Sequence, residues 1–210
     1  MLKLEHTDVY GWEAAIRGMR NPMNSWDRSD SHEHFNRNGE VDGYEVGKND
    51  LDLMKRLAKG GAVHAKYRRM INVTVDITAP LYWWKEFDTY KVGTVANSCS
   101  TMHKIHSCSL TLNDFSHEHL NETSLEVLSK MIKWLNECRY EFVTKQNKED
   151  WWQLIQLLPT SYNQRRTIQL NYEVLVGLYK DRKNHKLDEW HTFCDWVKSL
   201  PHSELITMEE

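Results

Sequence analysis

The spacing of apolar residues along the chain predicts a series of amphipathic helices. Apolar side chains recur every three or four residues, the period of a helix that buries one face, in seven segments: 12–19, 51–58, 81–91, 124–143, 151–158, 174–179 and 190–197. Two further segments are β-branched or alternate between apolar and polar residues, which predicts strands, over 70–77 and 168–170. The pattern therefore favours a single helix-rich α+β domain over residues 1–210.

A polar segment separates the first two predicted helices. Residues 24–49 are rich in charged residues, Asn and Gly and show no apolar period, which predicts a long loop. A loop of this length in a compact domain is usually functional or disordered, so Trp26 either covers a ligand or belongs to a disordered insertion. Asn49 or Asp50 is expected to cap the helix that follows, because both side chains accept hydrogen bonds from helical N–H groups.

Composition and charge narrow the class of protein. Hydrophobic residues make up 40% of the chain, and 27 Lys and Arg stand against 30 Asp and Glu, a formal charge of −3. This balance argues against a nucleic-acid polymer as partner, and no stretch approaches the ~18 apolar residues of a membrane span. The four cysteines lie far apart without a CxxC pair. A cytoplasmic protein with reduced thiols is favoured over a disulfide-stapled secreted domain.

The chain is also rich in large aromatic residues, with nine Trp and nine Tyr. Aromatic side chains contribute large buried areas to a core and also stack on flat ligands, so their number alone does not separate the two uses. Those that lie on apolar helical faces are predicted to be core residues: Trp12, Trp134, Trp151 and Trp190.

The common catalytic and nucleotide-binding motifs are absent. The chain has no HExxH motif and no Cys/His quartet, so its 11 histidines are interpreted as solvated loop residues, and no metal site is predicted. It has no GxSxG elbow, no GxGxxG turn and no phosphate-binding glycine loop. Any bound nucleotide must therefore be held by other side chains.

Two segments carry the remaining chemical signals. Residues 79–103 lead from a predicted strand through an Ala-Pro step into an aromatic helix. Residues 158–190 place Arg165 before a predicted strand, Asn171 at its end and Arg182 at the end of the next helix. The planar guanidinium of arginine matches phosphate oxygens and pyrimidine carbonyls in two-point contacts. The alternative interpretation is that these arginines are ordinary surface charges.

In order and spacing, these segments resemble the flavin-dependent thymidylate synthases, and the resemblance covers roughly residues 10–195. That family has an Ala-Pro-led helix and then the signature Arg-His-Arg-x-x-Ser, which falls here on Thr89, Tyr90, Lys91 and Thr94. With one inserted residue, the Asn-Glu-x-Ser-x-Arg continuation of the family falls on Asn97, Ser98, Ser100 and Met102. The glutamine ahead of the family's signature falls on Glu86.

The second segment matches the family without a gap. It supplies Leu158-Pro159, then Arg165 and Asn171, and then a helix that ends in Arg182. Upstream, the family's Gly-His-x-Ser/Thr-x-x-Glu-His falls on residues 63–70, where only the histidine, His64, is kept.

The resemblance implies a fold with a small antiparallel sheet and a role for each matched residue. Arg182 is the implied catalytic residue, which polarises the pyrimidine base, and Arg165 is the implied phosphate ligand. The implied substrate-binding residues are Glu86, Ser100, Arg165 and Arg182. The implied cofactor-binding residues are His64, Tyr90, Lys91, Thr94, Asn97 and Asn171.

The implied activity is the methylation of dUMP to dTMP by an enzyme that binds FAD, with NADPH and methylene-tetrahydrofolate as co-substrates. A homotetramer with sites shared between subunits is implied as well. In this chain Lys91 keeps a cation at the signature but loses the two-point geometry of arginine, and Tyr90 keeps a flat ring and one hydroxyl. The alternative is a non-catalytic homologue that kept the fold and binds a pyrimidine nucleotide without flavin.

Overall fold

The computed structural model describes residues 2–208, which are mostly helical. The helices are α1 (Trp12–Arg20), α2 (Lys48–Lys59), α3 (Leu81–Phe87), α4 (Thr101–Lys104), α5 (Glu122–Lys145), α6 (Lys148–Leu157), α7 (Tyr172–Arg182), α8 (Asp188–Ser199) and α9 (Glu204–Thr207). The strands are β1 (Lys3–Tyr10), β2 (His32–Phe35), β3 (Val41–Glu45), β4 (Asn72–Pro80), β5 (Val95–Ser98) and β6 (Asn163–Asn171). The predicted helix-rich α+β class is confirmed.

The described chain divides into two compact units. The first, called the α5 unit after its longest helix, consists of residues 2–5, 76–89 and 96–168. The second, called the α7 unit, consists of residues 6–75, 90–95 and 169–208. The single domain predicted over residues 1–210 stays a prediction.

Four of the strands form one sheet in the order β1-β4-β6-β5. Three of them, β1, β4 and β6, begin in one unit and end in the other. From Asn72 to Ala79 in β4 every second side chain is buried, because successive residues of a strand point to opposite faces; these residues are Val73, Val75, Ile77 and Ala79. This alternation is the signal from which the sequence predicted the strand.

The α5 unit has a core in which α5 packs along α6. Buried apolar side chains from both helices and from the preceding loops form one cluster: Ile105, Leu110, Phe115, Leu128, Ile132, Leu135, Cys138 and Leu154. The amide of Asn136 on α5 donates to the carbonyl of Leu110 at 2.8 Å, and its side-chain oxygen accepts from the N–H of Leu110 at the same distance. This two-way contact satisfies the backbone of a segment that has no regular structure.

In the α7 unit, α7 packs on α8, on α9 and on a short 3-10 turn, Lys66–Arg69. The ring of Trp12 meets that of Tyr172 edge-on at 5.5 Å, and the hydroxyl of Tyr67 donates to the carbonyl of Met54 at 2.9 Å. Burial raises the pKa of Tyr67 to about 12, so this hydroxyl remains a donor throughout the physiological range.

The prediction of a loop over residues 24–49 is wrong in part, because β2 and β3 form an antiparallel hairpin within it. At its turn the side chain of Asn36 accepts hydrogen bonds from the N–H groups of Asn38 and Glu40, and Gly39 takes a positive φ of 80°, which glycine adopts without strain. Both faces of the hairpin are largely exposed. It therefore lacks the apolar alternation by which strands are found in a sequence.

Other expectations are also corrected. The helix at residue 51 begins at Lys48, and neither Asn49 nor Asp50 caps it with its side chain. The carboxylate of Asp30 accepts from the N–H groups of Asn49 and Asp50 instead, at 2.9 and 3.1 Å. Trp134, predicted to be a core residue, is half exposed, whereas Trp12 and Trp190 are buried.

Candidate functional site

The residues predicted to bind substrate and cofactor are divided between the two units. The α7 unit holds His64, Tyr90, Lys91, Thr94, Asn171 and Arg182. The α5 unit holds Glu86, Asn97, Ser100 and Arg165. Their implied roles stay predictions, and what the structure adds is the surroundings of each side chain within its own unit.

Arg182 and Tyr90, which are 92 positions apart in the chain, are in direct contact. Nε of Arg182 donates to the hydroxyl of Tyr90 at 3.0 Å, and the guanidinium carbon lies 5.4 Å from the centre of the tyrosine ring. The same carbon lies 4.7 Å from the ring of Trp190. A guanidinium near the faces of aromatic rings is attracted by their quadrupoles. Arg182 is therefore not an ordinary surface charge.

The hydroxyl of Tyr90 has a second partner on the same helix. It lies 3.2 Å from Oδ2 of Asp181, to which it donates. Burial raises the pKa of Tyr90 above its ordinary value, against the opposing effect of Arg182, so the phenol stays protonated at neutral pH. The three side chains form a hydrogen-bonded chain from Arg182 through Tyr90 to Asp181.

The loop that carries Tyr90 lies along α7. Gly93 has a positive φ of 77°, and a Cβ atom there would lie 3.0 Å from Cγ2 of Val174 and 3.3 Å from Nδ2 of Asn171. Glycine at this position lets the loop approach the first turn of α7 while Tyr90 reaches its last turn. Thr94 follows, and its buried hydroxyl has no hydrogen-bond partner among the described residues.

Two other predicted cofactor residues of this unit differ in environment. The side chain of Asn171 caps α7 by accepting from the N–H of Val174 at 3.1 Å, a contact that stabilises the helix start. Lys91 is exposed. Its ammonium is available to an anionic group of a ligand.

His64 lines a cavity of about 660 Å³ in the α7 unit. Its walls come from the end of α1, from α2 and from the Lys66–Arg69 turn, and most of the lining is apolar, including Met19, Met23 and Met70. Among residues 2–208, neither the imidazole of His64 nor the ammonium of Lys66 makes a hydrogen bond or ion pair. The cavity thus combines apolar walls with two available nitrogen groups.

In the α5 unit, Arg165 lies in an exposed ion pair. Its guanidinium nitrogen is 2.6 Å from Oδ2 of Asp76, and the other oxygen of that carboxylate accepts from the hydroxyl of Thr167 at 2.6 Å. The neighbouring Arg166 is instead paired with Asp88 at 2.7 Å and stacked on Trp84 at 4.2 Å. Arg166 therefore has a structural role, and Arg165 is the more accessible of the two.

Ser100 lies close to Arg165. The N–H of Cys99 donates to the carbonyl of Arg165 at 2.9 Å, so Ser100 directly follows a residue that bonds to the backbone of this arginine. The hydroxyl of Ser100 caps α4 by accepting from the N–H of His103 at 3.1 Å.

The two remaining predicted residues of the α5 unit lie on other elements. Asn97 is exposed on β5. Glu86 lies within α3, where its backbone carbonyl accepts from the hydroxyl of Thr89.

Metal sites, membrane-spanning helices and disulfides are considered next, over residues 2–208. No group of three or more His, Cys, Asp or Glu side chains in that range is arranged to hold a metal ion. No helix of the same range has the length and apolar composition needed to cross a membrane. The four cysteines are free thiols, of which Cys138 and Cys194 are buried.

The fold can now be compared with known proteins. No protein-family model matches the sequence, and no curated protein matches it either. Solved structures do match over nearly the whole chain. A flavin-dependent thymidylate synthase ThyX from Helicobacter pylori, complexed with FAD and dUMP, has a TM-score of 0.67 at 18% identity and covers 99% of this chain and 98% of that chain.

Two further solved structures are also similar to this chain over nearly its whole length. A second structure of Thymidylate Synthase X from Helicobacter pylori with FAD and dUMP has a TM-score of 0.69 at 17% identity, with 99% and 98% of the two chains covered. A UMP/dUMP methylase PolB from Streptomyces cacaoi, bound with 5-Br dUMP, has a TM-score of 0.60 at 13% identity, with 99% and 95% covered. The chain has the fold of the flavin-dependent thymidylate synthases. The fold expected from the sequence is confirmed.

Sequence reasoning missed several residues around these side chains. Trp190 was predicted to be core, which is correct, but its contact with Arg182 was not foreseen. Asp181 and Asp76 were not predicted as the partners of Tyr90 and Arg165. Each of these contacts joins positions that are distant in the chain, except that of Arg182 with Trp190, and none of them leaves a spacing signal in the sequence.

Proposed function

We propose that this protein binds a pyrimidine deoxynucleotide and methylates it, converting dUMP to dTMP with bound FAD. The observation that carries the proposal is the arrangement of Arg182, held by the hydroxyl of Tyr90 and by the ring of Trp190 at the end of α7. The full-length likeness to structures that contain FAD with dUMP, or 5-Br dUMP, supports it. NADPH and methylene-tetrahydrofolate are proposed as co-substrates, and a cytoplasmic homotetramer as the assembly.

In the proposed mechanism Arg182 acts on the base. Its positive charge stabilises the negative charge that develops on the pyrimidine ring when the ring is activated for attack on the one-carbon donor. A cation held in advance does this better than a mobile one, because no reorganisation is needed during the reaction. Arg165 is proposed to bind the nucleotide phosphate, while Glu86 accepts from a base N–H and Ser100 donates to the nucleotide.

The residues present fit a flavin in two respects. The cavity lined by His64 has apolar walls for a flat ring and available nitrogen groups from His64 and Lys66. The buried hydroxyl of Thr94, without a partner among residues 2–208, is suited to a polar atom of a ligand. We propose His64, Tyr90, Lys91, Thr94, Asn97 and Asn171 as the residues that hold FAD. When bound, FAD supplies hydride transfer.

The proposal is tested by the visible spectrum of the purified protein with and without added FAD and dUMP. Flavin absorbance that stays with the protein after gel filtration, together with formation of dTMP from dUMP, NADPH and methylene-tetrahydrofolate, is the expected result. A protein that takes up no flavin even with dUMP present would falsify the enzymatic proposal.

One observation favours the non-catalytic alternative. The hydroxyl of Tyr90 is engaged by Arg182 and Asp181, and the side chain of Asn171 caps α7. Two of the six proposed flavin ligands thus have polar groups already bonded within the fold. Under this alternative the protein binds dUMP in isothermal titration calorimetry with unchanged affinity whether or not FAD is added.

A further inference from the structure

We propose that Tyr90 and Trp190 are positioning residues that hold the guanidinium of Arg182 in one orientation for the pyrimidine base. The inference rests on the proposed function, because it assumes that Arg182 contacts the nucleotide. Tyr90, at the divergent signature position, thereby has a role toward Arg182. Trp190 has a positioning role that its place on an apolar helical face does not suggest.

The contacts restrict both ways in which a guanidinium can move. The hydrogen bond from Nε of Arg182 to the hydroxyl of Tyr90, at 3.0 Å, opposes rotation of the group. The rings of Trp190 and Tyr90, at 4.7 and 5.4 Å from the guanidinium carbon, limit its displacement. A free arginine side chain has many rotamers, and ordering it on binding carries an entropic cost. The two rings and the hydroxyl therefore keep the side chain of Arg182 ordered before a ligand binds.

The two positioning residues are themselves held in place. Trp190 is fully buried in α8 and packs edge-on against Phe193 at 5.5 Å. The hydroxyl of Tyr90 donates to Asp181, which leaves its oxygen lone pairs to accept from Arg182. The close approach of Gly93 to Val174 keeps the loop of Tyr90 against α7. Arg182 therefore contacts a platform on one helix and a loop anchored on another.

The geometry separates the functions of the two residues. Tyr90 supplies an acceptor for Nε and so opposes rotation of the guanidinium. Trp190 supplies a flat, rigid ring whose centre lies 4.7 Å from the guanidinium carbon. Loss of the hydroxyl should thus affect orientation, and loss of the indole should affect the position of the plane.

Tyr90→Phe tests the hydroxyl, because it removes one oxygen and keeps the ring. We expect the dissociation constant for dUMP, measured by isothermal titration calorimetry, to rise about five- to tenfold, the size of the contribution of one ordinary hydrogen bond. Tyr140→Phe is the matched control, since Tyr140 is an exposed tyrosine on α5, and its affinity for dUMP should equal that of the wild type.

A second readout does not depend on the nucleotide. The rate at which phenylglyoxal modifies Arg182 in the absence of ligand is followed by peptide mass spectrometry. We expect the rate to rise at least threefold in Tyr90→Phe and to stay unchanged in Tyr140→Phe, because Arg182 loses its hydrogen bond to the tyrosine hydroxyl only in the first. Equal rates, or an unchanged dUMP affinity in Tyr90→Phe, would overturn the positioning role.

Trp190→Leu and Trp190→Phe test the platform, and thermal melting establishes the temperature at which each variant is folded. We expect Trp190→Leu to weaken dUMP binding at least threefold and Trp190→Phe to restore most of that loss, because phenylalanine keeps an aromatic face. Equal affinity in the two variants would overturn the role of Trp190. If the wild type itself binds no dUMP, the proposed function fails and this inference with it, whereas normal wild-type binding with unaffected variants overturns this inference alone.

Discussion

Two ion pairs of this protein have the same length and opposite surroundings. In the α7 unit, Nε of Arg20 lies 2.6 Å from Oδ1 of Asp50, with side chains 4% and 0% exposed. In the α5 unit, a guanidinium nitrogen of Arg165 lies 2.6 Å from Oδ2 of Asp76, with side chains 45% and 18% exposed. If the contact distance alone decided the strength of an ion pair, the two pairs would contribute equally to stability.

The buried pair is part of a larger network. Arg20 also donates to the carbonyls of Ser25 and Arg28, both at 3.0 Å. Oδ2 of Asp50 accepts from the hydroxyls of Ser29 and Ser31, both at 2.7 Å. The network ties the segment before the β2–β3 hairpin to α1 and α2, so the first part of the segment predicted to be a loop is fixed by side chains.

The exposed ion pair of Arg165 and Asp76 leaves Arg165 able to exchange its partner. An ion pair in contact with water contributes roughly 0–1 kcal/mol to stability, so exchange of Asp76 for a ligand phosphate costs Arg165 little. Arg20 has no such freedom, because removal of its partner would leave a charge buried without compensation. The comparison teaches that exposure, rather than contact distance, separates an arginine suited to a ligand from one that holds the fold.

The largest expected effect is on stability. Asp50→Asn should lower the free energy of unfolding by about 3–5 kcal/mol, because it leaves the charge of Arg20 buried without its counter-ion. The exposed pair provides the control, since Asp76→Asn should lower the free energy of unfolding by less than about 1 kcal/mol. Urea unfolding followed by circular dichroism measures both. Equal losses in the two variants would contradict the comparison.

The next effect concerns Arg182, whose environment is intermediate between the two pairs. Arg182→Ala should weaken dUMP binding about 30- to 150-fold, as expected when a charge-assisted hydrogen bond worth about 2–3 kcal/mol is lost. Binding of deoxyuridine should weaken by the same factor, because Arg182 is proposed to contact the base. Isothermal titration calorimetry measures both ligands. A lower melting temperature with unchanged affinity would make Arg182 a structural residue.

A smaller effect is expected for Arg165, and it depends on the phosphate. Arg165→Ala should weaken dUMP binding about tenfold, the effect of one charged contact, and should leave deoxyuridine binding unchanged. Asp76→Asn should strengthen dUMP binding about two- to threefold, because Arg165 no longer has a competing carboxylate. If both variants change the affinity for deoxyuridine as much as for dUMP, the phosphate role is wrong.

The smallest expected effect is the response to acid. Burial alone would raise the pKa of Asp50, but hydrogen bonds from Ser31, Ser29 and Arg20 outweigh it, and the pKa lies below its ordinary value. A carboxyl group with a lowered pKa in the folded state contributes its full stability above about pH 4, the unfolded pKa, and loses it as the pH falls through the folded pKa.

We therefore expect the free energy of unfolding to decrease as the pH is lowered below about 4, with a shallower decrease in Asp50→Asn than in Asp76→Asn. Urea titrations at several pH values between 5 and 2.5 measure the slopes. Parallel slopes in the two variants would show that Asp50 does not contribute to the acid response.

Most of the helices can be predicted from the sequence because a helix that buries one face has apolar residues at a regular local spacing. Val174, Leu175, Leu178 and Tyr179 recur at helical spacing and lie in α7, and the alternation of Val73, Val75 and Ile77 marks β4. β1 and the β2–β3 hairpin were missed because their side chains are mostly exposed. A strand without a buried face leaves no alternation in the sequence.

The candidate site also has features that the sequence determines and features that only the tertiary structure determines. The sequence by itself determined the residue types and the order of the two segments, and through the family resemblance it led to the prediction that Arg165 and Arg182 bind the nucleotide. Only the tertiary structure decided that Arg182 lies on Trp190 and bonds to Tyr90, that Arg165 faces Asp76, and that Asp50 is an ion-pair partner rather than a helix cap. Periodicity records which face of an element is buried, whereas a contact between residues 92 positions apart depends on how distant elements pack and so has no local sequence signal.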